Sequence, residues 1–184
     1  MENKPFSLGI LVGRFQTLHR GHETMIDTAL CLCKRVAVFI GSSQESGTEK
    51  NPYPYLLREQ MLRCLYKDSI GIHPLPDIGV GNNARWGEYV LSCVQQAEGR
   101  LPDLLVSGKE ERRVSWFDGV SGCRIAELYI PKTVPVSASQ LRAALAKNDR
   151  AAWEAFVSPP LYPLYEQLRA QYIAAMPHIE TESM

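Results

Sequence analysis

No apolar run in this chain of 184 residues approaches the roughly 20 that a membrane-spanning helix requires, so no membrane partner is expected. An excess of either charge is also missing. Twenty Lys and Arg against twenty Asp and Glu give a formal net charge of zero, which argues against a global field that would recruit nucleic acid or an anionic membrane. Any affinity for anions must be local. Internal repeats and low-complexity tracts are absent, and the length suits one domain with a proper core. The five cysteines (Cys31, Cys33, Cys64, Cys93, Cys123) are odd in number and lie mostly in apolar segments, and no basic-then-apolar signal precedes Leu8. A reducing cytoplasm is the expected compartment. A zinc site lacks its ligands. His19-x-x-His22 offers two where three or four are needed, and Cys31 and Cys33, expected on a helix, would point to different sides. No metal-ligating residue is therefore expected.

What the chain has is Gly13-Arg14-Phe15-Gln16-Thr17-Leu18-His19-Arg20-Gly21-His22. The run before it, residues 8–12, is short and apolar, as a buried parallel strand should be, while Met25, Ile26, Ala29, Leu30 and Leu32 recur at helical spacing from about Glu23. The stretch therefore falls on a strand-to-helix turn, where the first N–H groups of the helix lack internal partners and favour an anion. Gly21, lacking a Cβ, would let a phosphate approach the backbone between His19 and His22.

Further strands are expected at residues 36–40, 70–75, 103–107 and 124–130, most of them followed by small or polar residues that would line one crevice at the strand ends. In the loop after the second strand, Ser42 and Lys50 are the expected phosphate contacts, and Asn51-Pro52-Tyr53-Pro54 is a stiffened segment. Residues 56–65 form a packing helix with Arg58, Glu59 and Arg63 on its other faces. Residues 76–86, rich in glycine and amides, form a recognition loop; Trp86 by itself reads first as ordinary packing, since Trp is so often largely buried, while an exposed Trp86 beside Asn83 would suit a flat heterocycle bearing a carboxamide. Residues 109–113 read as a solvated charged run, with Lys109 also able to reach a phosphate from the rim, and Trp116 as packing or a lid. A helix follows over residues 86–97. Two more, residues 151–156 and 161–175, flank Ser158-Pro159-Pro160, and Leu161, Leu164, Leu168 and Tyr172 are expected to pack back on the domain.

The second informative stretch is Val136-Ser137-Ala138-Ser139-Gln140-Leu141-Arg142. Ser137 or Ser139 can cap a helix, and Arg142, three residues after Ser139, falls on its side, so hydroxyl, backbone N–H and guanidinium can converge on a polyphosphate. A capped helix with a surface Arg would leave the same trace.

The two stretches together resemble the two signatures of the nucleotidylyltransferase superfamily named for its His-x-Gly-His turn, Gly-Arg-Phe-Gln-x-x-His-x-Gly-His and a variant of Ile-Ser-x-Thr-x-Ile-Arg. Lys50-Asn51-Pro52 and Asn83-x-x-Trp86 extend the resemblance to nicotinamide mononucleotide adenylyltransferases of archaeal type, with Thr17 where that family usually has proline. The resemblance spans residues 8–145. It implies a Rossmann-like α/β fold, an open parallel sheet with helices on both faces; with the C-terminal helical extension read from its own apolar spacing, the chain is expected to be one domain (core about 5–148, helices about 149–176). It also implies AMP transfer from ATP, with Mg²⁺, to nicotinamide mononucleotide. His19, His22 and Arg142 would be catalytic; Gly13, Arg14, Phe15, Gly21, Ser137, Ser139 and Lys50 would bind phosphate; Ser42, Asn83 and Trp86 would bind the acceptor, Gln16 favouring the nicotinamide reading. The sequence leaves open another acceptor (pantetheine phosphate, a flavin nucleotide, an alcohol phosphate with a cytidylyl donor), a regulatory nucleotide-binding protein without turnover, a homo-oligomer, and the role of Asp77.

Overall fold

The computed structural model describes residues 4–79, 84–108, 113–120 and 124–177. Its centre is a five-stranded parallel sheet made of β1 (Phe6–Gly13), β2 (Cys33–Gly41), β3 (Gly71–Leu75), β4 (Leu104–Ser107) and β5 (Ala126–Tyr129), in the order β3-β2-β1-β4-β5. The helices are α1 (Arg20–Leu32), α2 (Tyr55–Tyr66), α3 (Ala84–Glu98), α4 (Ala138–Ala146), α5 (Arg150–Glu154) and α6 (Tyr165–Ala175), with short 3-10 turns at Val114–Phe117 and Pro159–Leu164.

Alternation along β2 builds two cores. Val36, Val38 and Ile40 face a cluster with Ile26 and Ala29 of α1, Leu57 and Met61 of α2, Leu141 of α4 and Leu168 of α6. Ala37 and Phe39 face the other side, where Val90, Leu91 and Val94 of α3 pack with Trp116 and Phe117. A strand covered on both faces reads as a continuous apolar run, which is why β2 was visible in the sequence. Asp103 fixes the start of β1 beside β4, its carboxylate accepting from the N–H groups of Ser7 and Leu8, both at 2.8 Å.

The expected elements are present, with shifted edges. β2 begins at Cys33, so Cys33 is a buried strand residue and only Cys31 lies on α1; the β pattern of the following residues wins over the helical one. Leu161, Leu164, Leu168 and Tyr172 are buried on the sheet's helical face as expected. Arg58 and Arg113, expected at solvated positions, are respectively buried and half-buried. No helix among the described residues is long and apolar enough to cross a membrane.

The strand order reverses at β1, which has β2 and β3 on one side and β4 and β5 on the other. Such a switch point opens a crevice beyond the strand carboxyl ends. β1 delivers Gly13 and the histidine turn to that place.

Candidate active site

A cavity of about 600 Å³ opens there, walled by the ends of β1, β2 and β4, the starts of α1 and α4, and the segment after β5. Its volume is in the range of pockets that enclose nucleotide-sized ligands.

His19 is the N-cap of α1, with extended backbone (φ −154°, ψ 166°) and no side-chain cap bond; its carbonyl accepts from the N–H groups of His22 (2.8 Å) and Glu23 (3.2 Å). The imidazoles of His19 and His22 stack with centroids 3.8 Å apart, and Phe15 tilts against His22 at 4.9 Å. Gly21 makes this stack possible: a Cβ there would meet the His19 ring at 3.1 Å. The space expected for a phosphate beside Gly21 is thus shared with an imidazole. Burial pushes the His19 pKa down to about 4, with Lys132 adding to the effect, and burial followed by the neighbouring His19 holds His22 well below the usual histidine value. Both rings are neutral near pH 7. The Nδ1 atoms of both rings are buried and have no hydrogen-bond partner among the described residues, and an arriving polyanion would favour protonation of the rings.

The second helix start is built differently. Ser137 caps α4, its Oγ accepting from the Gln140 N–H at 3.3 Å. Arg142, in the second turn, donates to the Gln16 carbonyl and to Ser139 Oγ (3.3 Å), and its guanidinium lies 5.8 Å from the centre of the Tyr172 ring. The C-terminal helix α6 therefore backs a cation on the cavity wall, a contact worth about 0.5–2 kcal/mol.

The turn between β1 and α1 is pinned to the loop after β2. Gln16 Nε2 donates to the Tyr53 carbonyl (3.1 Å) and Gln16 Oε1 accepts from the Tyr53 N–H (2.9 Å), so its amide serves the scaffold, where the sequence had suggested a part in choosing the acceptor. Arg14 Nη1 donates to Asn51 Oδ1 at 3.3 Å. The Gln16–Thr17 peptide is cis. Ser42 Oγ donates to Asp77 Oδ2 at 2.6 Å, placing a carboxylate on the wall.

The other end of the cavity is aromatic. Trp86, 8% exposed, meets Trp116 edge to face at 6.1 Å. Trp86 is thus largely buried, as its packing reading has it, and it also lines the cavity. Gly87 allows the close approach, since a Cβ there would collide with the Trp116 carbonyl at 1.8 Å. Arg113 lies 5.1 Å over the Trp116 ring and donates to the Val12 carbonyl at 3.4 Å.

Of the residues singled out by sequence, Gly13, Arg14, Phe15, His19, Gly21, His22, Ser42, Trp86, Ser137, Ser139 and Arg142 line one cavity. Lys50 does not; it is exposed in the 43–50 loop and absent from the described wall, because the loop turns its polar middle to solvent. Asn83 and Lys109 lie outside the described residues. Sequence reasoning missed Lys132, which reaches the wall directly after β5, where strand-end geometry could have flagged it. It also missed Arg58, whose spacing to Met61 and Leu62 put it on the apolar face of α2. Arg113 carried no local signal.

Comparison with known proteins adds to this geometry. Residues 10–110 match the cytidylyltransferase-like family model. Over 93 residues the chain is 41% identical to a nicotinamide-nucleotide adenylyltransferase of Thermococcus onnurineus, covering 47% of this chain and 48% of the relative. A protein of the same name from Aeropyrum pernix is 28% identical over 166 residues, 86% of this chain and 90% of that one. At the higher identity, the match thus spans about half the length of the curated relative. Among solved structures, a bifunctional NMN adenylyltransferase/ADP ribose pyrophosphatase of Francisella tularensis, complexed with AMP and a manganese ion, shares the fold with a TM-score of 0.70 at 19% identity, over 92% of this chain and 52% of that one. The family match runs from within β1 to just past β4, takes in the histidine turn and covers more than half of the residues, so the chain belongs to the cytidylyltransferase-like family.

Proposed function

We propose that this protein is a nicotinamide-nucleotide adenylyltransferase, moving AMP from ATP to the 5′-phosphate of nicotinamide mononucleotide to give NAD and pyrophosphate. The observation that carries the reading is that the stacked His19–His22 pair at the start of α1 and the Ser139–Arg142 pair at the start of α4 share one cavity with Trp86 and Trp116. The names of the matched relatives support the same chemistry.

In the proposed reaction an oxygen of the acceptor phosphate forms a bond to the α-phosphorus of ATP. The bond from that phosphorus to the bridging oxygen breaks, and its electron pair leaves with pyrophosphate. Such a transfer needs positioning and charge stabilisation rather than a protein nucleophile. His19 and His22, neutral before binding, would donate to the α- and β-phosphate oxygens and gain positive character as charge grows there. Arg142 and Ser139 would hold the β- and γ-phosphates, and Arg14 with Gly13, Phe15 and Gly21 would shape the turn around them. Ser137 would act as the cap that orients α4. Ser42 would meet the acceptor, and Trp86 would pack on its ring; Asn83 keeps its proposed part in carboxamide recognition.

Mg²⁺ enters as part of the ATP substrate. Among the described residues no three His, Cys, Asp or Glu side chains cluster as a metal site, and this donor set fits an ion carried mainly by phosphate oxygens and water. The catalytic unit is proposed to be one domain that the C-terminal helices complete, since the Phe156 carbonyl accepts from the Arg20 N–H at 3.0 Å and Tyr172 backs Arg142.

The test is incubation with ATP, Mg²⁺ and a panel of phosphate acceptors, following pyrophosphate and NAD. NAD formation from nicotinamide mononucleotide is the expected result. Pyrophosphate released only with pantetheine phosphate, a flavin nucleotide or an alcohol phosphate would replace the acceptor, and nucleotide binding without pyrophosphate from any acceptor would overturn the enzymatic reading.

A further inference from the structure

Arg58 on α2 is 0% exposed. Its Nη1 donates to the carbonyls of Gly41 (2.8 Å) and Arg14 (3.1 Å), and its Nη2 to those of Ser42 (3.0 Å) and Glu45 (3.5 Å). It forms no contact ion pair with a carboxylate among the described residues, although Asp77 and Glu45 lie near enough to favour its charge. Burying an unpaired cation costs several kcal/mol in general, so the fork that accepts this cost holds something specific. The carbonyls it gathers sit at and just beyond the carboxyl ends of the adjacent strands β1 and β2, on the β2 side of the switch point. They flank Phe15 (φ 51°) and include Ser42 (φ 47°), two non-glycine residues held in the left-handed region, which persists only where surrounding contacts impose it. Both of these residues line the cavity, whereas Arg58 does not.

The arrangement has an electrostatic side. Carbonyl oxygens at strand ends present partial negative charge toward a site meant for phosphates. The guanidinium covers them and sets positive charge one layer behind the wall, with Asp77 and Glu45 near enough to offset part of it. Burial and the nearby Arg14 push the Arg58 pKa down to about 10, which still leaves it charged near neutrality.

We propose that Arg58 is a positioning residue of the nucleotide site: its guanidinium locks the ends of β1 and β2 in the turns that place Arg14, Phe15 and Ser42 on the cavity wall, and its charge adds to the positive potential that a bound polyphosphate meets. This rests on the adenylyltransferase reading for its kinetic readout only.

The experiment uses the full chain, with Arg58→Lys and Arg58→Met assayed with ATP and nicotinamide mononucleotide below the melting temperature of each, activity being normalised to the folded fraction. Loss of planar two-pronged donation is expected to lower kcat/KM per folded molecule about tenfold in Arg58→Lys and about a hundredfold in Arg58→Met, the scale of a misplacement of about 1 Å at a reacting centre. A wild-type kcat/KM per folded molecule in Arg58→Lys would overturn the proposal, however much the variant lost in stability. In the unmodified protein, the guanidinium N–H resonances of Arg58 are expected to shift on titration with inorganic tripolyphosphate; tripolyphosphate binding with those resonances unmoved would overturn it as well. Absence of turnover in the unmodified protein would instead count against the adenylyltransferase reading, with the titration still deciding the role of Arg58.

Discussion

The two helix starts that meet at the cavity do the same task with opposite materials. At α1 the N-cap is a histidine that makes no side-chain cap bond, and the polar side chains are two stacked, neutral imidazoles whose buried Nδ1 atoms have no partner among the described residues. At α4 the cap is an ordinary serine that satisfies its own helix, and the offered group is a permanent cation held by Gln16, Ser139 and Tyr172. In the proposed reaction the difference would separate two needs of phosphate transfer. A fixed charge can hold the part of a triphosphate whose charge is constant. Groups with depressed basicity respond where charge changes during reaction.

The largest effect should come from removing the responsive side. His22→Ala is expected to lower kcat by about two to three orders of magnitude, the cost of losing one preorganised donor in a dry site, with near-UV circular dichroism unchanged. Turnover near the normal rate in that variant would erase the contrast between the two helix starts. Next, Arg142→Lys keeps the charge and loses the fork that joins Gln16 to Ser139. Its KM for ATP should rise about tenfold while the KM for the acceptor stays within about twofold.

A weaker effect is expected in acid. The folded-state pKa of His19 is depressed to about 4 from an unfolded value of 6.5, so the unfolded chain binds more protons between those values. Stability contributed by the neutral ring is fully present above about pH 6.5 and is lost as pH falls toward about 4. His19→Gln should flatten this acid limb in denaturant titrations, and an unchanged slope between pH 6.5 and 4 would show that the ring is not held neutral by burial. The smallest effect belongs to the conventional cap: Ser137→Ala should cost about 1 kcal/mol of stability by urea unfolding and leave the KM for the acceptor alone.

Legibility in the sequence followed the same division between local and distant causes. Gly13 through His22 and Val136 through Arg142 were readable because strand, turn, cap and helix are decided within a few residues, and each stretch arrives with its own backbone geometry. Lys50 shows the limit. Its neighbours Asn51 and Tyr53 are drawn inward by Arg14 and Gln16, while Lys50 itself stays in solvent. Nothing local distinguishes the two fates. Gln16 reads in the sequence as favouring one acceptor, yet its amide serves the Tyr53 backbone, and Trp86, which the sequence leaves between packing and stacking, is mostly enclosed beside Trp116.

By itself, then, the sequence determined the order of strands and helices, the two helix starts now proposed to face phosphate and the family, because hydrophobic period, caps and glycine positions act on neighbouring residues. Only the tertiary structure decided which side chains share the cavity. Bringing β1 between β2 and β4 sets Arg58 beneath two strand ends, Lys132 near His19, and Tyr172 behind Arg142. Those meetings join residues that are tens to more than a hundred positions apart, and a contact of that kind is a property of the packed sheet, where burial and unsatisfied carbonyl groups choose the partners.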